Sequence, residues 1–318
     1  MRRLVVVLLV AVTLIWAGGC AATSPSSEVD GQTRTVATAF GDIEVPAQPK
    51  KVVALGWGDA ETALALGVQP VGASDWLAFG DEGVGPWSKG LYDNPPEIIG
   101  TLEPELEKIA GLQPDLILDT KSSGDSDRYA ALSKIAPTVG IPKGGEMYNT
   151  SWRAQVELVA AALGRPDEGE RLISETTKAL SDAAAAYPQL AGKTAVVGAR
   201  TSKGFGVYVE RDSRTQFLQA LGLESPSAVK ALPPENFSVS LSREDLSLLD
   251  ADLTIITAIG VDNDEITGDP VLRRLPSVRN GHLVTFDDPT VRLAFATNTA
   301  PSIAYAAKVV PPVLAARL

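Results

Sequence analysis

Residues 51–73, KVVALGWGDAETALALGVQPVGA, decide the fold. Residues 52–55 are a short apolar run typical of a strand buried on both faces, and residues 56–58 supply a glycine turn. Asp59 is placed to cap a helix and Gly67 to stop it. Residues 71–73 then read as a second strand. Strand, turn, helix and strand in so few residues need a crossover, so the sheet is parallel and the class α/β.

The same plan continues on both sides. Pro104 suits a first helical turn, Gly111 closes a short helix, and residues 116–118 form another strand. A second set begins at Lys193, with a strand over 194–198, a long loop, a helix over about 215–221 and Gly222 as its stop. At an offset of 137 residues, Glu107, Ile109, Leu112, Asp115 and Leu116 correspond to Glu244, Leu246, Leu249, Asp252 and Leu253. Each copy reads as a short helix feeding a strand, so two related lobes are expected. Between them, residues 151–163 and a helix from Pro166 to about Tyr187 keep apolar side chains at helical spacing. About 20 residues at 1.5 Å each give about 30 Å, enough to brace both lobes, so a cleft between them should be mostly preformed. The expected architecture is α/β, two Rossmann-like lobes joined by a long rigid α-helix. The N-terminal lobe covers 41–150, the helical connector 151–190 and the C-terminal lobe 191–318.

Composition narrows the function. The 318 residues carry 28 Lys and Arg against 39 Asp and Glu, a net charge of -11, which repels polyanions, so no nucleic-acid partner is expected. One Cys, one His and two Met leave too few ligands for disulfide frameworks or Cys/His metal sites. His282 has no Gly-x-Ser-x-Gly elbow to serve, and the Gly-x-Gly pairs at Gly56 and Gly204 do not extend into a dinucleotide fingerprint. No enzyme activity and no cofactor are expected.

Residues 1–19 read as a signal peptide: Arg2 and Arg3, then an apolar run of about 13 residues, shorter than the about 20 a membrane span needs, then small residues before Cys20. Residues 20–40 begin small and polar and are taken as a flexible tether. Removing Arg2 and Arg3 from the 28 basic residues lowers the net charge from -11 to -13.

Ligands of open α/β sheets lie beyond the carboxyl ends of the strands, which singles out the loops there. In the first lobe these hold Trp57, Trp76 and Trp87, flat apolar surfaces able to wall a pocket or merely to anchor the lobe surface. In the second they hold Arg200, Phe205, Tyr208, Arg211 and Arg214, with Arg292 and Phe295 following the strand over 283–286. Each arginine serves either as an anion contact or as half of an ion pair with a nearby acid such as Asp212 or Glu210. Glu107 and Glu244, paired by the 137-residue offset, stand on matching helix surfaces, where ordinary solvated carboxylates also occur.

From about Gly41 to the C-terminus the chain resembles the substrate-binding lipoproteins of iron-siderophore ABC importers, the helix-spanned, class III periplasmic binding proteins. The resemblance rests on residues 51–73, 106–118 (LEKIAGLQPDLIL), 132–139 (LSKIAPTV), 241–256 and 275–286 (LPSVRNGHLVTF). It implies an extracytoplasmic monomer anchored to the outer face of the membrane through a lipidated Cys20. Such a protein captures a ferric siderophore and delivers it to an ABC permease with its ATPase. Glu107 and Glu244 match the glutamates that dock on permease arginines, and Arg214 matches a position that presents a cleft arginine. No metal is held directly; iron arrives inside its chelator. Catecholate binders of the family line the cleft with arginines from both lobes, whereas the first lobe here offers Lys121 and Arg128. The aromatic wall suits a neutral or weakly charged hydroxamate chelate at least as well, and a cobalamin or haem ligand is the alternative on the same fold.

Overall fold

The computed structural model describes residues 32–80, 82–100, 102–233 and 237–318. The signal peptide, Cys20 and most of the tether lie outside the described residues. An antiparallel hairpin of β1 (Thr33–Thr38) and β2 (Gly41–Pro46) comes first. β1 falls inside the 20–40 segment assigned to a tether, a correction with a simple cause: Val36 and Thr38 alternate inward with exposed Thr35 and Ala37, a period of two hidden by the polar composition.

The first lobe is built on β3 (Val52–Ala54), β4 (Gly72–Ser74), β5 (Glu97–Ile99), β6 (Leu116–Leu118) and β7 (Thr138–Val139). They form a fully parallel sheet in the order β5-β4-β3-β6-β7. The crossovers carry α1 (Asp59–Ala65), α2 (Leu106–Gly111) and α3 (Ser126–Ser133). All three residues of β3 and of β6 are buried, as their unbroken apolar runs require. The cap of α1 is Gly58 rather than Asp59; its φ of 80° is open to glycine, and an added Cβ would sit 2.2 Å from the Thr299 methyl.

Two helices make the connector, α4 (Trp152–Leu163) and α5 (Pro166–Ala186). Ser151 caps α4 through the Ala154 N–H, and Gly164 ends it with φ at 70°. On α5, Leu172 packs against the first lobe's core beside Leu158 and Leu163, whereas Leu180 and Ala183 belong to the core of the second. One helix thus has an apolar foot in each lobe.

The second lobe contains β8 (Ala195–Thr201), β9 (Gly204–Tyr208), α6 (Ser213–Ala220), α7 (Ser227–Lys230), β10 (Ser238–Leu241), β11 (Leu253–Ile259), α8 (Asp264–Thr267), α9 (Pro276–Arg279), β12 (Leu283–Val284), α10 (Pro289–Thr297) and α11 (Ala300–Ala315). Its sheet order is β10-β9-β8-β11-β12. β8, β11 and β12 are parallel, but β9 is reversed, pairing antiparallel with both β8 and β10. The long loop expected after residue 198 is therefore a hairpin, with Arg200 and Phe205 paired across it. The two lobes nonetheless begin alike. Asp115 accepts from the Lys51 N–H at 2.9 Å at the mouth of β3, and Asp252 accepts from the Thr194 N–H at 2.8 Å at the mouth of β8. The repeated Asp has the same work in both copies.

Candidate functional site

At the carboxyl end of β3 the Gly56–Trp57–Gly58 turn is held from three sides. The Trp57 N–H donates to the Lys121 carbonyl at 2.9 Å, and the Gln155 side chain donates to the Trp57 carbonyl at 2.9 Å. Behind the turn, the buried Asp59 carboxylate accepts from the Thr120 N–H at 2.9 Å, from the Thr120 hydroxyl and from Gln155 at 2.7 Å. Burial outweighs these bonds and pushes the Asp59 carboxyl up to about 6. The Trp57 ring so fixed stacks on Trp76 at 4.5 Å with planes 9° apart, and on Tyr148 at 4.3 Å. Tyr148 holds φ at 54°, a left-handed conformation rare for a bulky residue. Three aromatic rings thus form one wall.

The second lobe supplies the facing wall. Asp212 caps α6 by accepting from the Arg214 N–H at 2.9 Å, and the same carboxylate pairs with Arg214 Nη1 at 2.9 Å. The guanidinium lies 4.1 Å above the Tyr208 ring, and its Nε is buried without a hydrogen-bond partner among the described residues. Arg292, on α10, donates to the Ala258 carbonyl at 3.0 Å.

Between the walls runs a groove of three consecutive chambers. The outer one, about 350 Å³, lies between residues 78–89 and Leu293. The middle one, about 280 Å³, is lined by Leu77, Tyr208, Arg214, Arg292 and Leu293 among others. The inner one is pinched to about 30 Å³ where Trp57, Trp76, Lys121 and Tyr148 meet Asp212, Arg214 and Phe237. Leu293 joins the first two chambers, and Arg214 with Ala296 joins the last two. Small-molecule sites occupy about 300–1,000 Å³, so the groove is preformed, as the stiff connector implies, yet nearly closed at its aromatic end. A larger hollow of about 790 Å³ lies between α4 and α5, but it is an open trough over small residues such as Ala160, Ala161 and Gly169. Its lining comes from α4 and α5 alone among the described residues.

The periplasmic binding protein family matches residues 52–290. The chain belongs to that family. Over 89% of this chain and 89% of the other, it is 31% identical to the probable siderophore-binding lipoprotein YfiY of Bacillus subtilis. Among solved structures it is similar to a periplasmic solute binding protein from Mycobacterium smegmatis, at 30% identity and a TM-score of 0.77, covering 89% of this chain and 98% of that one. It is also similar to PiaA of Streptococcus pneumoniae in complex with ferrichrome, at 28% identity and a TM-score of 0.76, with the same coverage. The class III fold of two α/β lobes joined by a helix is therefore this protein's fold.

As a periplasmic binding protein it brings Trp57, Trp76, Tyr208, Arg214 and Arg292 together at the groove, all five named from the sequence. Three others go elsewhere. The Trp87 indole N–H donates to Glu61 at 3.0 Å and its ring packs edge-on to Phe79 and beside Tyr305, so it is a lobe anchor. Arg200, on strand β8 rather than in a loop, pairs with Glu265 at 2.8 Å beside a separate hollow. Phe295 is 1% exposed and packs against Phe217 and Phe286 in the core. Glu107 is exposed on α2, and Glu244 is exposed at the start of a 3-10 turn rather than on an α-helix. Neither carboxylate has an ion-pair partner among the described residues.

Lys121, Tyr148 and Phe237 also line the inner chamber. Lys121, one of the two first-lobe cations considered, follows β6, whereas Tyr148 and Phe237 carry no marker in the sequence. Arg128, the other first-lobe cation considered, is spent in a fork on Asp119 at 2.9 and 2.7 Å. Among the described residues no cluster of His, Cys, Asp and Glu could hold a metal ion, and no helix is long and apolar enough to cross a membrane.

Proposed function

We propose that this protein captures a ferric siderophore in the groove between its lobes, outside the cytoplasm, and hands it to an ABC permease driven by its ATPase. The observation that carries this reading is the facing of the Trp57–Trp76–Tyr148 wall by Arg214 across a preformed inter-lobe groove, with Arg292 lining the adjoining chamber. Aromatic faces cover the organic shell of a chelate, and guanidinium groups meet the oxygens around its iron. The ferrichrome complex of the similar PiaA structure supports the same ligand class, as does the siderophore in the name of the Bacillus relative. Glu107 and Glu244, one on each lobe and both exposed, supply two carboxylates for a two-fold partner, setting orientation and encounter rate. Lipidation at Cys20 after removal of residues 1–19 keeps the protein beside that permease.

Tryptophan fluorescence tests the reading. Ferric siderophores should quench it saturably, because Trp57 and Trp76 line the site. Quenching by haem or cobalamin, with none by any ferric chelate, would rule the reading out.

A further inference from the structure

The two chambers that share Arg214 have an unbalanced wall. Their ionisable side chains, tyrosines aside, are Lys121, Arg214, Arg292 and Asp212. That is three cations against one carboxylate, inside a protein whose net charge is -11. Asp212 is committed to Arg214 by the 2.9 Å ion pair. Lys121 is 4% exposed and makes no hydrogen bond or ion pair through its ammonium among the described residues. The neighbouring acids are already engaged. Asp59 is held by Thr120 and Gln155, and Glu61 by the Gly85 N–H, Trp87 and Thr299. A buried ammonium without a direct hydrogen bond is costly, and burial, only partly offset by the nearby Asp212, Asp59 and Glu61 carboxylates, pulls Lys121 down to about 8.

Such a group is relieved by an anion delivered into the inner chamber. A carboxylate oxygen on the chelate would give Lys121 a charge-assisted hydrogen bond, while Arg292 and the free Nε of Arg214 meet further oxygens. A neutral chelate offers the ammonium no counter-charge. We propose that the groove selects ferric chelates bearing carboxylate groups over neutral trihydroxamates, with Lys121 as the specificity-determining residue. This rests on the ferric-chelate reading above and narrows it.

Fluorescence titration of the purified protein with the ferric complexes of staphyloferrin B, a carboxylate chelator, and of ferrichrome, a neutral trihydroxamate, tests it. The wild type should prefer the carboxylate chelate by about tenfold or more. Lys121→Met should remove that preference by weakening the carboxylate chelate alone, and Lys121→Arg should retain most of it. Ferrichrome binding with no carboxylate preference overturns the selection and leaves the ferric-chelate reading standing. Equal losses for both chelates in Lys121→Met make Lys121 structural and also overturn it. Failure of both chelates on the wild type overturns the selection, and the ferric-chelate reading falls with it when no other ferric chelate quenches either. Should Lys121→Met fail to fold, the wild-type preference decides, together with Arg292→Gln, which should weaken the carboxylate chelate more than ferrichrome.

Discussion

Glu61 accepts a hydrogen bond from the hydroxyl of Thr299, 238 positions away, and so ties α1 of one lobe to the cap of α11 in the other. The same carboxylate accepts from the Gly85 N–H at 2.8 Å and the Trp87 indole at 3.0 Å, and Glu61 is only 2% exposed. Glu61→Ala strands three buried donors, each worth about 1–3 kcal/mol when unsatisfied, so a loss of at least about 3 kcal/mol is expected in thermal or denaturant unfolding. Thr299→Val removes the inter-lobe bond and a capping box, and should cost about 1–2 kcal/mol. Unchanged melting in both variants would mean that the Glu61–Thr299 bond does not hold the lobes together.

Asp59 gives the protein a pH-dependent stability of definite sign. Its carboxyl rises from 3.8 to about 6 on folding, chiefly through burial. The folded state therefore binds the proton more tightly. The resulting stabilisation is present below 3.8 and is lost as pH rises through about 6. Glu61, also raised by burial, acts in the same direction. Asp59→Asn should thus gain on the wild type between about pH 4 and pH 7, by at most about 3 kcal/mol. Parallel stability curves for the two proteins over that range would refute the assignment.

Trp57 is the centre of the aromatic wall, touching both Trp76 and Tyr148. Trp57→Ala should weaken the ferric chelate about tenfold or more and remove much of the quenching. Trp87→Phe, which keeps the anchor's bulk, should leave chelate affinity within a few-fold. The reverse pattern would place the site against Trp87 instead.

The pair Arg211 and Glu146 joins the two lobes beside the inner chamber, with side chains 49% and 38% exposed. An ion pair so accessible contributes little stability, about 0.5 kcal/mol or less. Its expected consequence is kinetic, since it bridges one loop from each lobe across the groove. Arg211→Ala should shift unfolding by under about 0.5 kcal/mol yet raise the chelate's dissociation rate severalfold in stopped-flow displacement. An unchanged off-rate would show that exit takes another path.

The two-lobe plan was legible because its markers are local: buried three-residue strands, glycine stops, and an Asp repeated at the strand mouths. The site was legible only in part. Arg214 was readable through the family resemblance, which matches its place just inside a helix start; the Asp212 that caps α6 there also clamps the guanidinium. Arg200 was misplaced because GFGVY, with its glycines, reads as loop although it pairs with β8. Phe295 was misplaced by the rotation of α10. Arg292, Leu293 and Ala296 fall within about 100° of helix surface and face the groove, while Phe295 lies about 60° beyond Arg292 and turns to the core. Tyr148 and Phe237 depend on contacts between distant segments, and no spacing in the sequence encodes those.

The docking assignment makes the sharpest separation between binding and transport. Glu107 and Glu244 sit at equivalent places in the two lobes, are exposed, and have no ion-pair partner among the described residues. Their removal should cost the folded protein within about 0.5 kcal/mol, since surface charges without partners stabilise little. On a permease carrying basic pockets, the same change removes charge pairs that steer and orient encounter. The double variant Glu107→Ala, Glu244→Ala should therefore quench normally with a ferric chelate while cells carrying it lose iron uptake. Each single variant should fall between, because one docked lobe still leaves half of the contact. Added salt should slow uptake by the wild type more than by either single variant, as screening acts on charges that remain. Full uptake by the double variant would show that the permease recognises another surface of the lobes.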